Sequence, residues 1–272
     1  MSVRGFFLGK KAVGDRMINL AFPLKTFYIA SLIYGIALLC YLLRFKRLSA
    51  LSLVTAFTVN LISEVSGRYL IWPYCNMFSE PFFLPLCLAG ISLILIILKR
   101  DKHALSMVFM IVLFSCTAIF FSEGYYPPFT LMSKSLYAHL FHLSVFIGHG
   151  LLIAGAYLAI HSVFKKKRDD VPYQLTTWGF VILSTAGLFG MVWSYVGRSD
   201  VVSWNHYYFH SLAIWFYYVG FFHLHLIRGW DQKRKAWVLL GGAFLIFWFD
   251  YLPQIGGLHM PEVLDARLYE LY

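Results

Sequence analysis

The sequence predicts an all-α fold, a polytopic membrane helix bundle of about eight transmembrane helices with both termini outside. Three observations predict it. The 272 residues are 60% hydrophobic and only 13% charged, about half the charged share of a soluble globule. Apolar runs recur along the whole length, each near the roughly 20 residues a helix needs to cross the hydrocarbon core. Lys and Arg concentrate in alternate connections between these runs. That placement explains the net charge of +10 as membrane orientation and argues against nucleic-acid binding.

The runs fall at 24–43, 49–66, 81–98, 104–122, 138–163, 175–196, 207–227 and 236–254. They divide the chain into an N-terminal segment 1–23, an integral membrane domain 24–254 and an external tail 255–272. The second run is the weakest, because Asn60 and Glu64 sit near its end. Connections after the first, third, fifth and seventh runs carry Arg44, Lys46, Arg47; Lys99, Arg100, Lys102; Lys165, Lys166, Lys167, Arg168; and Arg228, Lys233, Arg234, Lys235. The remaining connections and the tail hold only Arg68, Lys134, Arg198 and Arg267. The positive-inside rule puts the first set in the cytoplasm. Arg4, Lys10, Lys11, Arg16 and Lys25 in the N-terminal segment run against it, but four loops outvote one tail, and Met17 is an alternative start. A small-residue cleavage site after a short apolar core is missing, so no removable signal peptide is expected. Cys40, Cys87 and Cys116 lie in apolar runs as small hydrophobes, and no C-x-x-C-H occurs, so the chain is not itself a c-type cytochrome.

This topology gathers histidines on the outer face. His139 and His142 begin the fifth run, His206 and His210 open the seventh, and His259 follows the eighth. An aromatic-rich loop, Trp193 to Tyr208, emerges on the same face. Imidazoles with aromatic planes between them suit a flat, iron-bearing ligand. Trp and Tyr at interfaces also serve as ordinary anchoring belts, and histidines at helix ends commonly bond a neighbouring helix. His103 and His161, beside cytoplasmic basic clusters, read in that plain way. His149, one heptad after His142, is deeper and reads equally as a functional group or an interhelical bond. His206 and His210 share a face at i, i+4, but no H-E-x-x-H supports a zinc hydrolase, and the His-rich boxes of a membrane di-iron oxygenase are missing. Glu64, Glu80, Glu123 and Asp200 lie at the outer face without the spacing of a catalytic dyad.

Four segments resemble the cytochrome c assembly family of haem-handling membrane proteins, of the CcsA type. His142 to Gly148, preceded by Pro127-Pro128 and Lys134-Ser135, resembles the first external haem histidine and its approach. Gly257-Leu258-His259 is similar to the second. Trp215 and His223, followed by Arg228-Gly229-Trp230 and Lys235-Ala236-Trp237, resemble the segment with the intramembrane histidine. Gly67-Arg68, Pro73, Asn76 and Glu80 echo the entry to the third helix. The matches run in the family's order over about residues 65–262. One departure stands out: the family's tryptophan-rich outer loop, W-G-x-x-W-x-W-D, is here Tyr195 to Asn205, where only Gly197 and Trp204 remain, with Trp193 just before. The HemX-like and YpjD-like relatives share the helical core without that block.

The resemblance implies haem b as substrate, with His142 and His259 as axial ligands at the outer site and His223 as the iron ligand near the cytoplasmic half. His225 is its neighbour in sequence. Trp193, Trp204, Gly197 and His206 would contribute to the outer haem slot, with Tyr195, Tyr207 and Tyr208 as further stacking planes. It implies haem transport and presentation for c-type cytochrome biogenesis, as a possible subunit of a haem lyase complex in the bacterial inner membrane, its site on the periplasmic face. The partners implied are an apocytochrome c with a C-x-x-C-H motif and a second membrane subunit. No side chain reads as a covalent nucleophile. Two other functions fit the same residues: a HemX-like regulator of haem biosynthesis, and a b-type electron-transfer subunit pairing His149 or His142 with His210.

Overall fold

A computed structural model describes residues 3–72, 80–121, 134–164, 170–201, 206–227 and 230–255, with side chains except at 3–21, 71, 198, 206–208 and 225. Regular structure among these residues is helical: α1 Val3–Leu42, α2 Lys46–Ile71, α3 Glu80–Ile97, α4 Asp101–Ser106, α5 Val108–Phe121, α6 Leu136–Phe164, α7 Val171–Arg198, α8 His206–His225 and α9 Gln232–Ile246. A π-helical turn Phe247–Tyr251 and a 3-10 turn Leu252–Gln254 extend α9. Seven spans are long and apolar enough to cross a membrane, with α4–α5 counting as one and α9 with its extension as another. The chain is a multi-pass integral membrane protein. The 20-residue α8 stands outside those seven, because His206, His210, His223 and His225 and four tyrosines dilute its apolar content.

The first two helices form an antiparallel hairpin. α1 starts well ahead of residue 24, where its apolar run begins. Of the two polar residues that weaken the second run, Asn60 bonds across to α1 while Glu64 pairs with Arg68 one turn on along α2. Ser49 Oγ donates to the Ala37 carbonyl (2.9 Å), Ser63 Oγ to the Pro23 carbonyl (2.6 Å), and Asn60 Nδ2 to Tyr34 Oη (3.4 Å). On the faces turned outward, Thr55, Thr58, Thr177 and Thr185 return their hydroxyls to the carbonyl four residues earlier, so these four donors are satisfied.

Basic residues end two of the helices. Arg44 (φ 66°) and Lys99 (φ 58°) adopt the left-handed conformation that closes a helix C-terminus. The following amides, of Phe45 and Arg100, bond back to the carbonyls of Cys40 and Leu95 at 2.8 Å. A non-glycine residue there costs about 1–2 kcal/mol, and a cation beside the exposed carbonyl end offsets part of it.

The run expected at 104–122 is one span broken at Met107. Ser106 Oγ donates to the His103 carbonyl at 2.8 Å, and Tyr157 Oη of α6 donates to the Ser106 carbonyl at 2.8 Å. The His103 carbonyl still accepts the Met107 amide (3.3 Å), so it is at the Ser106 carbonyl, taken by Tyr157, that the ladder is interrupted.

α6 is the axis of the bundle, packed on α7, α9 and α3. Small residues let it be approached closely, as membrane helices require when lipid gives no hydrophobic drive. A Cβ on Gly155 would lie 2.5 Å from Thr176 Oγ1 and 2.9 Å from the Pro172 carbonyl; one on Gly179 would lie 2.9 Å from Leu152. On the α3 side, a Cβ on Gly150 would meet Cys87 Sγ at 2.8 Å. The α6–α7 contact is backbone on backbone, and it sets which residues of the two helices face each other further along.

Gly155→Ala is therefore expected to cost about 1–3 kcal/mol through forced separation of α6 from α7. Gly187→Ala, where an added Cβ meets nothing within 4 Å, is expected to raise stability by up to about 1 kcal/mol, because Ala is the better helix former. Thermal unfolding of the purified protein in detergent measures the contrast, and equal melting temperatures for the two variants would refute it.

Candidate functional site

One end of the bundle collects the end of α2, the start of α3, the start of α6, the end of α7 and the end of the α9 extension. The described basic residues Arg44, Lys46, Arg47, Lys99, Arg100, Lys102, Lys233, Arg234 and Lys235 lie at the opposite end. His142, in the second turn of α6, is buried. Its Nδ1 donates to the Ala138 carbonyl at 2.8 Å. A carbonyl only accepts, so the neutral ring carries its hydrogen on Nδ1 and keeps its lone pair on Nε2. Three rings surround it: Phe141 at 5.0 Å and Trp193 of α7 at 5.6 Å, both edge-on, and Phe146 at 6.0 Å. One turn earlier, His139 stacks on Trp72, the residue that follows α2, at 5.2 Å. Phe83 of α3 packs on Phe146, and Arg68 of α2 lies over Phe83, 5.3 Å from its centroid.

A buried polar network lies two turns deeper, about 10 Å along the helix from His142. His149 Nδ1 meets Glu80 Oε1 at 2.7 Å, and its Nε2 faces Asp250 Oδ2 at 3.3 Å. Gln254 Nε2 donates to Glu80 Oε2 (2.8 Å) and to the Asp250 carbonyl (2.9 Å). His149 and Glu80 are each 1% exposed, so the charges are sheltered from both water and lipid. The π turn is what aims Asp250. Pro253 has no amide hydrogen and its ring crowds the carbonyl four residues back, so the helix widens before it. Among the described residues no three His, Cys, Asp or Glu side chains are arranged to hold a metal ion; His149, Glu80 and Gln254 are hydrogen-bonded, and Asp250 Oδ2 faces His149 at ion-pair distance without a hydrogen bond.

The structure brings His142 and Trp193 together and places Gly197 in the exposed last turn of α7. His223 lies far from them, near the other end on α8, exposed, with Nδ1 donating to the Val219 carbonyl at 2.8 Å. It therefore shows the same free Nε2 as His142. His206 opens α8, but its side chain, and Trp204 and His259 altogether, lie outside the described residues. His210 stacks on Phe249 at 4.7 Å. Trp215, read in sequence as part of the His223 segment, donates Nε1–H to Ser184 Oγ (2.9 Å) and ties α8 to α7.

Sequence reasoning missed the network. It allows His149 an interhelical bond and places Glu80 at the outer face, but does not pair the two, and it passes over Asp250. The available signal was that Asp250 is the one acidic residue in the final apolar run, since an ionisable group at such a position is rarely idle.

No family model matches the chain. Curated relatives do. It is similar to the cytochrome c biogenesis protein CcsA of Synechococcus sp. (strain RCC307), 32% identical over 81 residues, covering 30% of this chain and 26% of the relative. The CcsA of Cyanophora paradoxa is 32% identical over 87 residues, covering 32% and 27%, and that of Gloeobacter violaceus 28% identical over 126 residues, covering 46% and 37%. The matches thus span about a quarter to a third of the relatives' length. Among solved structures, cytochrome c haem lyase CcmF has a TM-score of 0.58 at 14% identity over 87% of this chain and 47% of CcmF, a likeness of fold. The sequence resemblance to the cytochrome c assembly family is shown by the CcsA relatives.

Removing one member of the network leaves the others as buried uncompensated charge. Glu80→Ala and His149→Ala are each expected to cost about 3–5 kcal/mol, and a double-mutant cycle between them to give a coupling above about 1 kcal/mol. Strictly additive losses in detergent unfolding would show that the contact carries no energy.

Proposed function

We propose that this relative of the cytochrome c assembly family handles haem for c-type cytochrome biogenesis, holding it at the His142 end of the bundle and presenting it for covalent attachment to an apocytochrome. The observation that carries the reading is the state of His142: a buried imidazole, fixed by its own backbone, with a free Nε2 among three aromatic rings. An imidazole oriented through its other nitrogen is the usual form of an iron ligand. Clustering of the basic residues at the other end supports an external His142 end, with both termini outside and, for a bacterial inner membrane, a periplasmic site.

In this reading His142 and His259 are the axial pair, and Trp193, Trp204, Gly197 and His206 form the slot around the ring. His223, with the same backbone-fixed tautomer, is the ligand by which haem b enters near the cytoplasmic half. Two neutral imidazoles hold iron firmly enough to protect it, and either can be displaced by the histidine of a C-x-x-C-H motif. The protein contributes orientation and exclusion of water, while haem and the thiols supply the bonds made. The wider assembly is a haem lyase complex with a second membrane subunit. A b-type electron-transfer role using His149 is disfavoured because both its nitrogens face carboxylates. A HemX-like regulator would differ in leaving c-type cytochromes intact on deletion while haem precursors change.

Purified protein is expected to carry low-spin haem whose signal disappears in the double variant His142→Ala, His259→Ala. Unchanged haem content and spectrum in that variant would overturn the reading. His223→Ala should leave the outer spectrum intact after external haem addition but lower the haem acquired in cells. Full loading in cells would remove His223 from the pathway.

A further inference from the structure

Arg68, in the last turns of α2, is only 30% exposed and is held on two sides. Its Nε lies 3.6 Å from Glu64 Oε2, and its Cζ sits 5.3 Å from the Phe83 ring centroid. Nη2 is buried and has no hydrogen-bond partner among the described residues. Phe83 packs on Phe146 at 5.7 Å, and Phe146 on His142 at 6.0 Å, so guanidinium and imidazole border one aromatic wall. A buried guanidinium nitrogen without an acceptor is unfavourable, and its planar fork matches a carboxylate better than any other common anion except phosphate.

We propose that Arg68 is the carboxylate anchor of the outer site, and that its free Nη2 takes a propionate of the haem bound through His142. This rests on the haem reading above. The propionates occupy one edge of the ring and the vinyl groups lie away from it. Anchoring the first edge on the α2–α3 side turns the vinyl side toward Trp193 and the end of α7, away from Arg68. Arg68 thus sets which edge of haem is offered for thioether formation. It is a specificity residue that does not touch the reacting carbons.

The test compares haem with its dimethyl ester, whose iron and ring are unchanged but whose carboxylates are blocked. Each is titrated by absorbance into the full chain in lipid nanodiscs. Wild type is expected to bind haem about 10-fold or more tighter than the ester, the scale of one charge-assisted hydrogen bond. Arg68→Met keeps an apolar stem, and is expected to lose that preference by weakening haem alone, with the low-spin spectrum retained. Arg68→Lys keeps the charge without the fork and should restore part of the preference. Wild type binding both ligands equally through His142, or Arg68→Met keeping the wild-type preference, overturns the anchor and leaves the haem reading standing. Wild type binding neither, with His142→Ala making no difference, overturns both. The wild-type comparison needs no variant, so a poorly folding Arg68→Met does not shelter the proposal.

Discussion

Glu80, His149 and Asp250 belong to three different spans, and their contact is what holds the start of α3, the middle of α6 and the end of α9 at one depth. In lipid this constraint is severe. Separating the partners would leave a carboxylate or an imidazole with neither water nor a counter-charge, so the three helices stay in register. Gln254 closes the arrangement by donating to both Glu80 and the Asp250 backbone, which also secures the irregular turn beyond α9. Everything at the His142 end is built on top of that bracket.

The second determinant is steric. Glycines at positions 148, 155 and 179 bring α6 and α7 together until backbone meets side chain and backbone. Because helices this close have few alternative registers, the contact fixes which ring of α7 stands beside His142. Trp193 is the result. Polar bracket and glycine seam act on opposite sides of α6, and together they hold one imidazole in a fixed orientation at the end of a helix. α8, joined to α7 through Trp215 and Ser184 and to α9 through Tyr217 and Val238, carries the second imidazole with a free Nε2.

Under the proposed function those two histidines divide the labour. His142 is buried in an aromatic enclosure, suited to holding a planar ligand away from water. His223 is exposed near the opposite end, suited to a ligand in passage. In the proposed reading Arg68, which lies over Phe83, would make the two edges of a flat ligand inequivalent. The chain matches the CcsA proteins over part of its length and shares a helical fold with CcmF.

Composition and hydropathy made the helical membrane architecture legible without coordinates, because each span is a local property of about 20 consecutive residues. The positions of His142, Trp193 and His223 along their helices were legible for the same reason, as was the segregation of basic residues to alternate connections. Local patterning fails where partners are distant. His149 and Glu80 are 69 residues apart, and Glu80 and Gln254 are 174 apart, so no window contains the network. The break at Met107 depends on a hydroxyl from another helix, and the π turn that aims Asp250 on strain passed along from Pro253. Whether a histidine shows a lone pair or spends both nitrogens on carboxylates is likewise invisible in a string of letters. His142 and His149 are one heptad apart on one helix, and only the packing of α3, α7 and α9 around them makes the first a candidate ligand and the second a structural bracket.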